Sequence, residues 1–134
     1  MLYWRRKMDL LKKPKKDKED PDFEISFLEG LINKEPDFIQ ALIVLAEAYT
    51  KKGDIQKGLA LDLRLSRLRG DDPEVHYNLA CSYSLAGQVE EALATIKKAV
   101  LLGYDDFAYM LSDPDLSNLR EDRRFNSLFN RFKR

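Results

Sequence analysis

Hydrophobic residues recur along most of the chain at intervals of three and four positions, the spacing that places side chains on one face of an α-helix. The first such stretch predicts a helix at about 22–34, and its apolar positions are Phe23, Phe27, Leu28, Leu31 and Ile32. The second predicts a helix from Phe38 to Lys52, ended by Gly53, because glycine readily adopts the left-handed conformation that closes a helix. The pattern therefore predicts an all-α protein of consecutive helices.

Residues 58–68 are ambiguous, because leucines at alternate positions would also suit a β-strand. We predict a helix here, since Gly58, Leu61, Leu65 and Leu68 form a helical stripe as well. Leucine favours helices, and the β-branched and aromatic residues that favour strands are absent from the stretch.

One segment of the sequence occurs twice, 34 residues apart. Leu45-Ala46-x-x-Tyr49-x-x-x-Gly53 returns as Leu79-Ala80-x-x-Tyr83-x-x-x-Gly87. The second copy predicts a helix from Pro73 that is closed by Gly87, followed by a helix from Val89 to Leu102. A repeat of this length is typical of arrays in which helix pairs stack and offer a grooved surface, so it favours binding over catalysis.

Beyond Gly103 the pattern becomes shorter and less regular. A final helical face is predicted from four residues, Phe125, Leu128, Phe129 and Phe132. We expect this last helix to lie against the open end of the stack, because an array must cover its terminal apolar face.

The second copy, extended to Asn78-Leu79-Ala80-x-x-Tyr83-x-x-x-Gly87-x-x-x-x-Ala92-x-x-x-Ile96-x-x-Ala99, resembles the tetratricopeptide repeat. Residues 113–128 resemble the closing segment of many bacterial tetratricopeptide groups. The resemblance implies a right-handed helical solenoid with a leading half-repeat at 22–36, full repeats at 39–72 and 73–106, and a cap at 107–134. The chain departs from the family at Asp62, where an apolar residue is usual, and a slight rotation of that helix would present Leu61 and Leu63 instead.

Tetratricopeptide repeats generally bind peptides or partner helices in a concave groove lined by the first helix of each repeat. By resemblance, the groove here would be lined by Gln40, Ile43, Val44, Glu47, Thr50, Glu74, Tyr77, Asn78, Cys81 and Ser84. Ile43, Val44 and Tyr77 would make it partly apolar, which suits an apolar peptide or a helix. Only Asn78 matches the residues that clamp a C-terminal carboxylate in some members, so we expect no such clamp. Alternatively, these ten residues pack against neighbouring helices or the N-terminal leader.

Length and charge divide the chain further. Its 134 residues fit one domain, predicted at 21–134, after a basic and poorly ordered leader at 1–20. The formal net charge is zero, but residues 1–18 carry eight Lys or Arg and only two acids. Trp4, Met8 and Leu11 have the spacing of a short amphipathic turn at the start of this leader.

The leader leaves one alternative function open, that of an assembly factor held at an anionic membrane. The leader is also consistent with a solvated tail, because Pro14 and the interspersed acids interrupt the basic patch. Nucleic-acid binding is less favoured. Self-association through the exposed edge of helix 22–34 is a second alternative.

The remaining candidates for chemistry are one histidine and one cysteine, His76 and Cys81. Five residues separate them, so they lie on different faces of one helix, and a catalytic pair is not expected. His76 stands where the family carries a large packing residue, and Cys81 is expected to act as a small apolar side chain. The sequence contains no metal-ligand motif, phosphate-binding glycine loop or nucleophile motif, so we expect no enzyme activity, metal or cofactor.

A single cysteine gives no sign of an oxidising compartment, and the first residues do not form a secretory signal. The sequence therefore predicts a cytoplasmic, non-enzymatic adaptor that binds a protein or peptide.

Overall fold

The computed structural model describes residues 20–132, and within this range the chain contains helices and turns but no strand. The α-helices in this range are α1 (Pro21–Lys34), α2 (Ile39–Lys52), α3 (Ile55–Leu68), α4 (Pro73–Leu85), α5 (Val89–Leu101), α6 (Phe107–Ser112) and α7 (Arg123–Phe132), and a 3₁₀ helix (Pro114–Leu119) lies between α6 and α7. The predicted all-α class is confirmed. The predicted leader with its Trp4, Met8 and Leu11 falls outside the described residues up to position 19, and so does the side chain of Phe132.

The described residues form two compact units. Residues 20–68 are the N-terminal unit and residues 69–132 are the C-terminal unit. Each unit contains its own hydrophobic cluster.

In the N-terminal unit, α2 packs against both α1 and α3. Its cluster comprises Ile25, Leu28, Ala41, Val44, Leu45 and Tyr49. Asp20 caps α1 by accepting a hydrogen bond from the backbone N–H of Asp22, and Pro21 occupies the first turn, where its missing N–H costs nothing. At the rim of the cluster, the hydroxyl of Tyr49 donates to the carboxylate of Glu29.

The two helix pairs, α2 with α3 and α4 with α5, follow each other in register at 34 residues. Helices α2 and α4 begin at Ile39 and Pro73, and helices α3 and α5 begin at Ile55 and Val89. The turn inside each pair holds a glycine with positive φ, 97° at Gly53 and 76° at Gly87. The sequence repeat is therefore also a repeat of helix boundaries and turn geometry.

Residues 58–68 are helical, as predicted, within α3. The expected rotation of this helix is wrong, because Asp62 is buried while Leu61 and Leu63 are only half-buried. Gly58 explains the orientation. A Cβ atom there would lie 2.6 Å from Oγ1 of Thr50 and 3.2 Å from the carbonyl oxygen of Ala46, so the bare backbone of α3 approaches α2 closely at this point. Since Asp62 follows Gly58 by four residues, that approach turns Asp62 inward as well.

In the C-terminal unit, α4 packs against α5, and the segment after α5 folds back over both. The 3₁₀ helix lies against α4 and α5, and α7 contacts α5. Phe125, Leu128 and Phe129 of the predicted last helical face are buried, and the rings of Phe125 and Phe129 meet edge to face at 4.9 Å. The segment after α5 therefore contacts α5 and also covers one side of α4. The sequence predicted only a cap on the open end of the stack.

Gly58→Ala should destabilise the N-terminal unit by about 1–3 kcal/mol, because the new methyl group must displace Thr50 or the backbone of α2. The Thr50 hydroxyl is itself held by a hydrogen bond to Ala46, at 3.0 Å, which limits how far it can move. Urea denaturation followed by circular dichroism measures the change.

The matched control is Gly30→Ala in α1, where a Cβ atom would meet nothing within 4 Å. This variant should raise the free energy of unfolding by roughly 0.5–1 kcal/mol, since alanine is the better helix former. Equal effects of the two substitutions would contradict the close approach at Gly58.

Candidate functional site

The predicted groove residue Tyr77 lies at the centre of the C-terminal unit and is fully buried. Its ring stacks on that of Tyr104, with centroids 4.1 Å apart and planes 1° from parallel. Its hydroxyl donates a hydrogen bond of 2.6 Å to Oδ2 of Asp113. Burial raises the pKa of Tyr77 far above its ordinary value, so the hydroxyl stays protonated and remains a donor.

Asp113 connects this tyrosine to the segment that covers it. Its Oδ1 accepts the backbone N–H of Asp115 at 3.0 Å and so caps the 3₁₀ helix, which Pro114 begins. The side chain is almost completely buried, and Oδ2 also lies 3.7 Å from the sulfur of Cys81. One carboxyl group therefore satisfies polar groups of α4 and of the 3₁₀ helix together.

The rest of the predicted groove in this unit is mostly closed. Glu74, Cys81 and Ser84 are buried, and only Asn78 is half-buried. The side-chain amide of Asn118, in the 3₁₀ helix, donates to the backbone oxygen of Ser84 at 2.7 Å. The expectation that Tyr77, Cys81 and Ser84 are open to a partner is therefore corrected, because the C-terminal segment packs on this face of α4.

Burial also affects the one acid on this face of α4. Desolvation raises the pKa of the Glu74 carboxyl above its ordinary value, which makes its charged form less favourable.

In the N-terminal unit, the five predicted groove residues fall into two groups. Ile43 and Val44 are buried, and Val44 belongs to the cluster between α1 and α2. Gln40 is exposed, Glu47 is half-buried and pairs with Lys51 at 2.9 Å, and Thr50 is half-buried. The apolar surface expected from Ile43, Val44 and Tyr77 is thus replaced by a polar one, because the apolar members serve the interior.

His76 and Cys81 have separate environments. His76 is buried, and its Nε2 lies 2.8 Å from the backbone oxygen of Gly70, just before α4 begins. Cys81 is buried on the face of α4 that Asp113 contacts. The packing roles predicted for both residues agree with these positions.

The fold also brings together three groups that could serve as metal ligands. One ligand atom each of Cys81, Asp113 and Asp115 lies within 4.8 Å of the others. The carboxyl oxygens of Asp113 already accept hydrogen bonds from Tyr77 and from the backbone of Asp115, so protein donors occupy the acceptor positions that a cation would use. The sequence did not reveal this cluster, because 32 residues separate Cys81 from Asp113.

The start of the 3₁₀ helix at Asp113 can be read from the sequence. An Asp-Pro pair is a common helix start, and Asp113-Pro114 begins the 3₁₀ helix. Nothing in the sequence pointed to its partner Tyr77, because the two residues are joined only through the fold.

None of the helices within residues 20–132 is long and apolar enough to cross a membrane. No protein-family model matches the chain. In an alignment 90 positions long that covers 63% of this chain, the sequence is 33% identical to a chloroplastic protein of Arabidopsis thaliana. The chain spans about a quarter of that protein, since the aligned part covers 26% of its length.

Asp113→Ala should lower the free energy of unfolding by about 3–5 kcal/mol, because it leaves the buried Tyr77 hydroxyl without an acceptor and removes a helix cap. Tyr77→Phe should cost roughly 1–3 kcal/mol. Urea denaturation of the single and double variants should give a coupling of about 1–3 kcal/mol between the two residues.

The control is Asp106→Ala, which removes only the cap contact to the backbone N–H of Tyr109 and should cost about 1 kcal/mol. Additive effects of Tyr77→Phe and Asp113→Ala would contradict the contact.

The protein should lose stability as the pH rises above 10. Desolvation raises the pKa of Tyr49 to about 12, and burial raises the pKa of Tyr77 and Tyr104 further. These tyrosines ionise near pH 10.0 in the unfolded chain. Their contribution to the free energy of unfolding is therefore complete below that pH and declines as the pH rises through the folded-state pKa values.

Chemical denaturation at a series of alkaline pH values measures this loss. Tyr77→Phe should make the decline shallower by about 1.4 kcal/mol per pH unit. Identical slopes for the wild type and Tyr77→Phe would show that Tyr77 ionises in the folded protein.

Proposed function

We propose that this chain is a protein-interaction module of the tetratricopeptide type and acts as a non-enzymatic adaptor. The observation that carries the proposal is the repetition of two helix pairs at an interval of 34 residues. Equivalent backbone hydrogen bonds close the turn in both pairs. The N–H of Asp54 donates to the oxygen of Tyr49 at 2.8 Å, and the N–H of Gln88 donates to the oxygen of Tyr83 at 2.9 Å. Arrays of such pairs present surfaces to other proteins, and that is their general use.

The surface that remains accessible sets the kind of partner. On α2 it includes Gln40, Glu47 and Thr50, and on α4 it includes Asn78. The N-terminal unit, residues 20–68, carries nine acids and six bases. We therefore expect a peptide or helix that offers polar and basic groups, because these complement amide side chains and an acidic surface.

The Arabidopsis relative neither supports nor opposes this proposal. Its name gives a chloroplast location for that protein and states no partner. The cytoplasmic location predicted for this chain stays a prediction, and so does membrane attachment through the leader.

Affinity capture with the full chain as bait tests the adaptor function. Gln40→Arg should reduce the capture of specific partners at least about tenfold, because it adds a large cation to the accessible face of α2. Gln56→Arg is the matched control, since it makes the same change at an exposed position of α3.

We then purify the binding segment of any protein that is retained by the wild type and by Gln56→Arg but lost with Gln40→Arg. Calorimetry measures the affinity of this segment for each bait. Equal capture by all three baits would contradict binding at this face. Loss of every captured protein on removal of residues 1–18 alone would favour the leader instead.

A further inference from the structure

The outer face of α1 carries two large aromatic side chains that are open to solvent. Phe23 is 68% exposed and Phe27 is 55% exposed, one helical turn apart. The opposite face of the same helix is buried through Ile25 and Leu28, which join the cluster with α2. Helix α1 is thus apolar on both sides, although only one side is covered within the N-terminal unit.

The exposed stripe continues through Gly30 to Lys34, both open to solvent. A Cβ atom at Gly30 would meet nothing within 4 Å, so no side chain covers the helix backbone there. This uncovered backbone is a gap in the stripe, about one helical turn after Phe27. An aromatic ring beside a gap of this kind can take up an aromatic ring from another helix. The stripe therefore contains both a projecting side chain and a recess that could receive it.

We propose that the outer faces of α1 from two copies of this chain pack antiparallel about a two-fold axis at Phe27. In this arrangement each copy contributes the same patch, as a symmetric dimer requires. Phe27 lies against Phe27 of the other copy. Phe23, four residues before the axis, falls level with Leu31 on the other side and lies next to the gap at Gly30.

Charge complementarity selects this antiparallel arrangement. Asp20 and Lys34 are each seven residues from Phe27, so an axis at Phe27 brings Asp20 of each copy level with Lys34 of the other. Both residues are exposed. The antiparallel arrangement also pairs the positive end of each helix dipole with the negative end of the other. A parallel pair would instead bring Asp20 to Asp20 and Lys34 to Lys34.

The size of the patch sets the strength of association. A fully covered aromatic side chain buries about 150–250 Å², so two partly exposed rings from each copy give well under about 1,000 Å² in total. Interfaces of that size are weak or transient. The dimer should therefore appear as the concentration rises and vanish on dilution.

Sedimentation velocity of the full chain over a series of concentrations, up to about 1 mM, tests the proposal. The wild type should sediment increasingly as a dimer, and Phe27→Glu should remain a monomer with an unchanged helical spectrum. The matched control is Leu101→Glu in the C-terminal unit, because Leu101 is 64% exposed and lies on another helix. Dimerisation of the Phe27→Glu variant, or loss of the dimer in Leu101→Glu, would overturn the assignment to α1.

A charge exchange tests the register. Asp20→Lys and Lys34→Asp should each weaken the dimer at least about tenfold when studied alone, because each creates two repulsive contacts across the axis. An equimolar mixture of the two variants should recover association, since both cross-axis contacts are then attractive. Asp20→Lys also removes the cap of α1, so the comparison is made well below the melting temperature of either variant. A mixture that associates no better than its components would overturn the antiparallel register.

A wild-type chain that stays monomeric at every concentration would overturn self-association, and Trp4 then identifies what covers the patch. Trp4 is the single tryptophan of the chain. A red shift of its fluorescence in Phe27→Glu would assign the patch to the leader, and unchanged fluorescence would exclude Trp4 as its cover.

Discussion

The buried contact between Asp113 and Tyr77 is the constraint on which the C-terminal unit depends. A carboxyl group inside a protein is costly unless polar groups satisfy it, and here the tyrosine hydroxyl and the backbone of the 3₁₀ helix do so. Because those groups come from α4 and from the segment after α6, the acid fixes how the chain returns to α4. Arg120 adds to this return by donating to the backbone oxygens of Leu111 and Asp113. The hydrophobic contacts of the last phenylalanines follow from the same path.

The helices could be read from the sequence because they rest on local information. Spacing of apolar residues, Gly53 and Gly87 at the turns, and Pro21 and Pro73 at helix starts all act within a few positions. The burial of Tyr77, Cys81 and Ser84 could not be read in this way. It depends on residues 113 to 118, more than 30 positions away, and the pattern of a repeat does not reveal which face a later segment will cover. For the same reason, resemblance to the family indicated the helix positions better than the accessible surface.

Asp62 shows a second limit of sequence reading. A polar residue at a usually apolar position suggested that α3 would turn it outward, since burying an acid is unfavourable by itself. The close approach of Gly58 to α2 decides the orientation instead, because a helix is rigid and one backbone contact sets every other position along it. The second repeat has Ala92 at the position of Gly58 and Ile96 at the position of Asp62, and both are buried. Equivalent helices can therefore differ in polarity while keeping the same orientation.

The first helix of the repeat, α2 in the N-terminal unit and α4 in the C-terminal unit, differs between the units in how much of its face is accessible. In the C-terminal unit, the chain itself occupies the face of α4 that a partner would need, which leaves little more than Asn78 accessible. In the N-terminal unit, α2 keeps polar residues accessible at Gln40 and Glu47. Helix α1 adds the exposed aromatic side chains Phe23 and Phe27 on the face opposite its contact with α2. Exposed aromatic side chains near an acidic surface favour contacts that combine apolar area with charge selection. The recognition that we propose for this protein is therefore best placed in residues 20–68, since the C-terminal segment covers most of the corresponding face in residues 69–132.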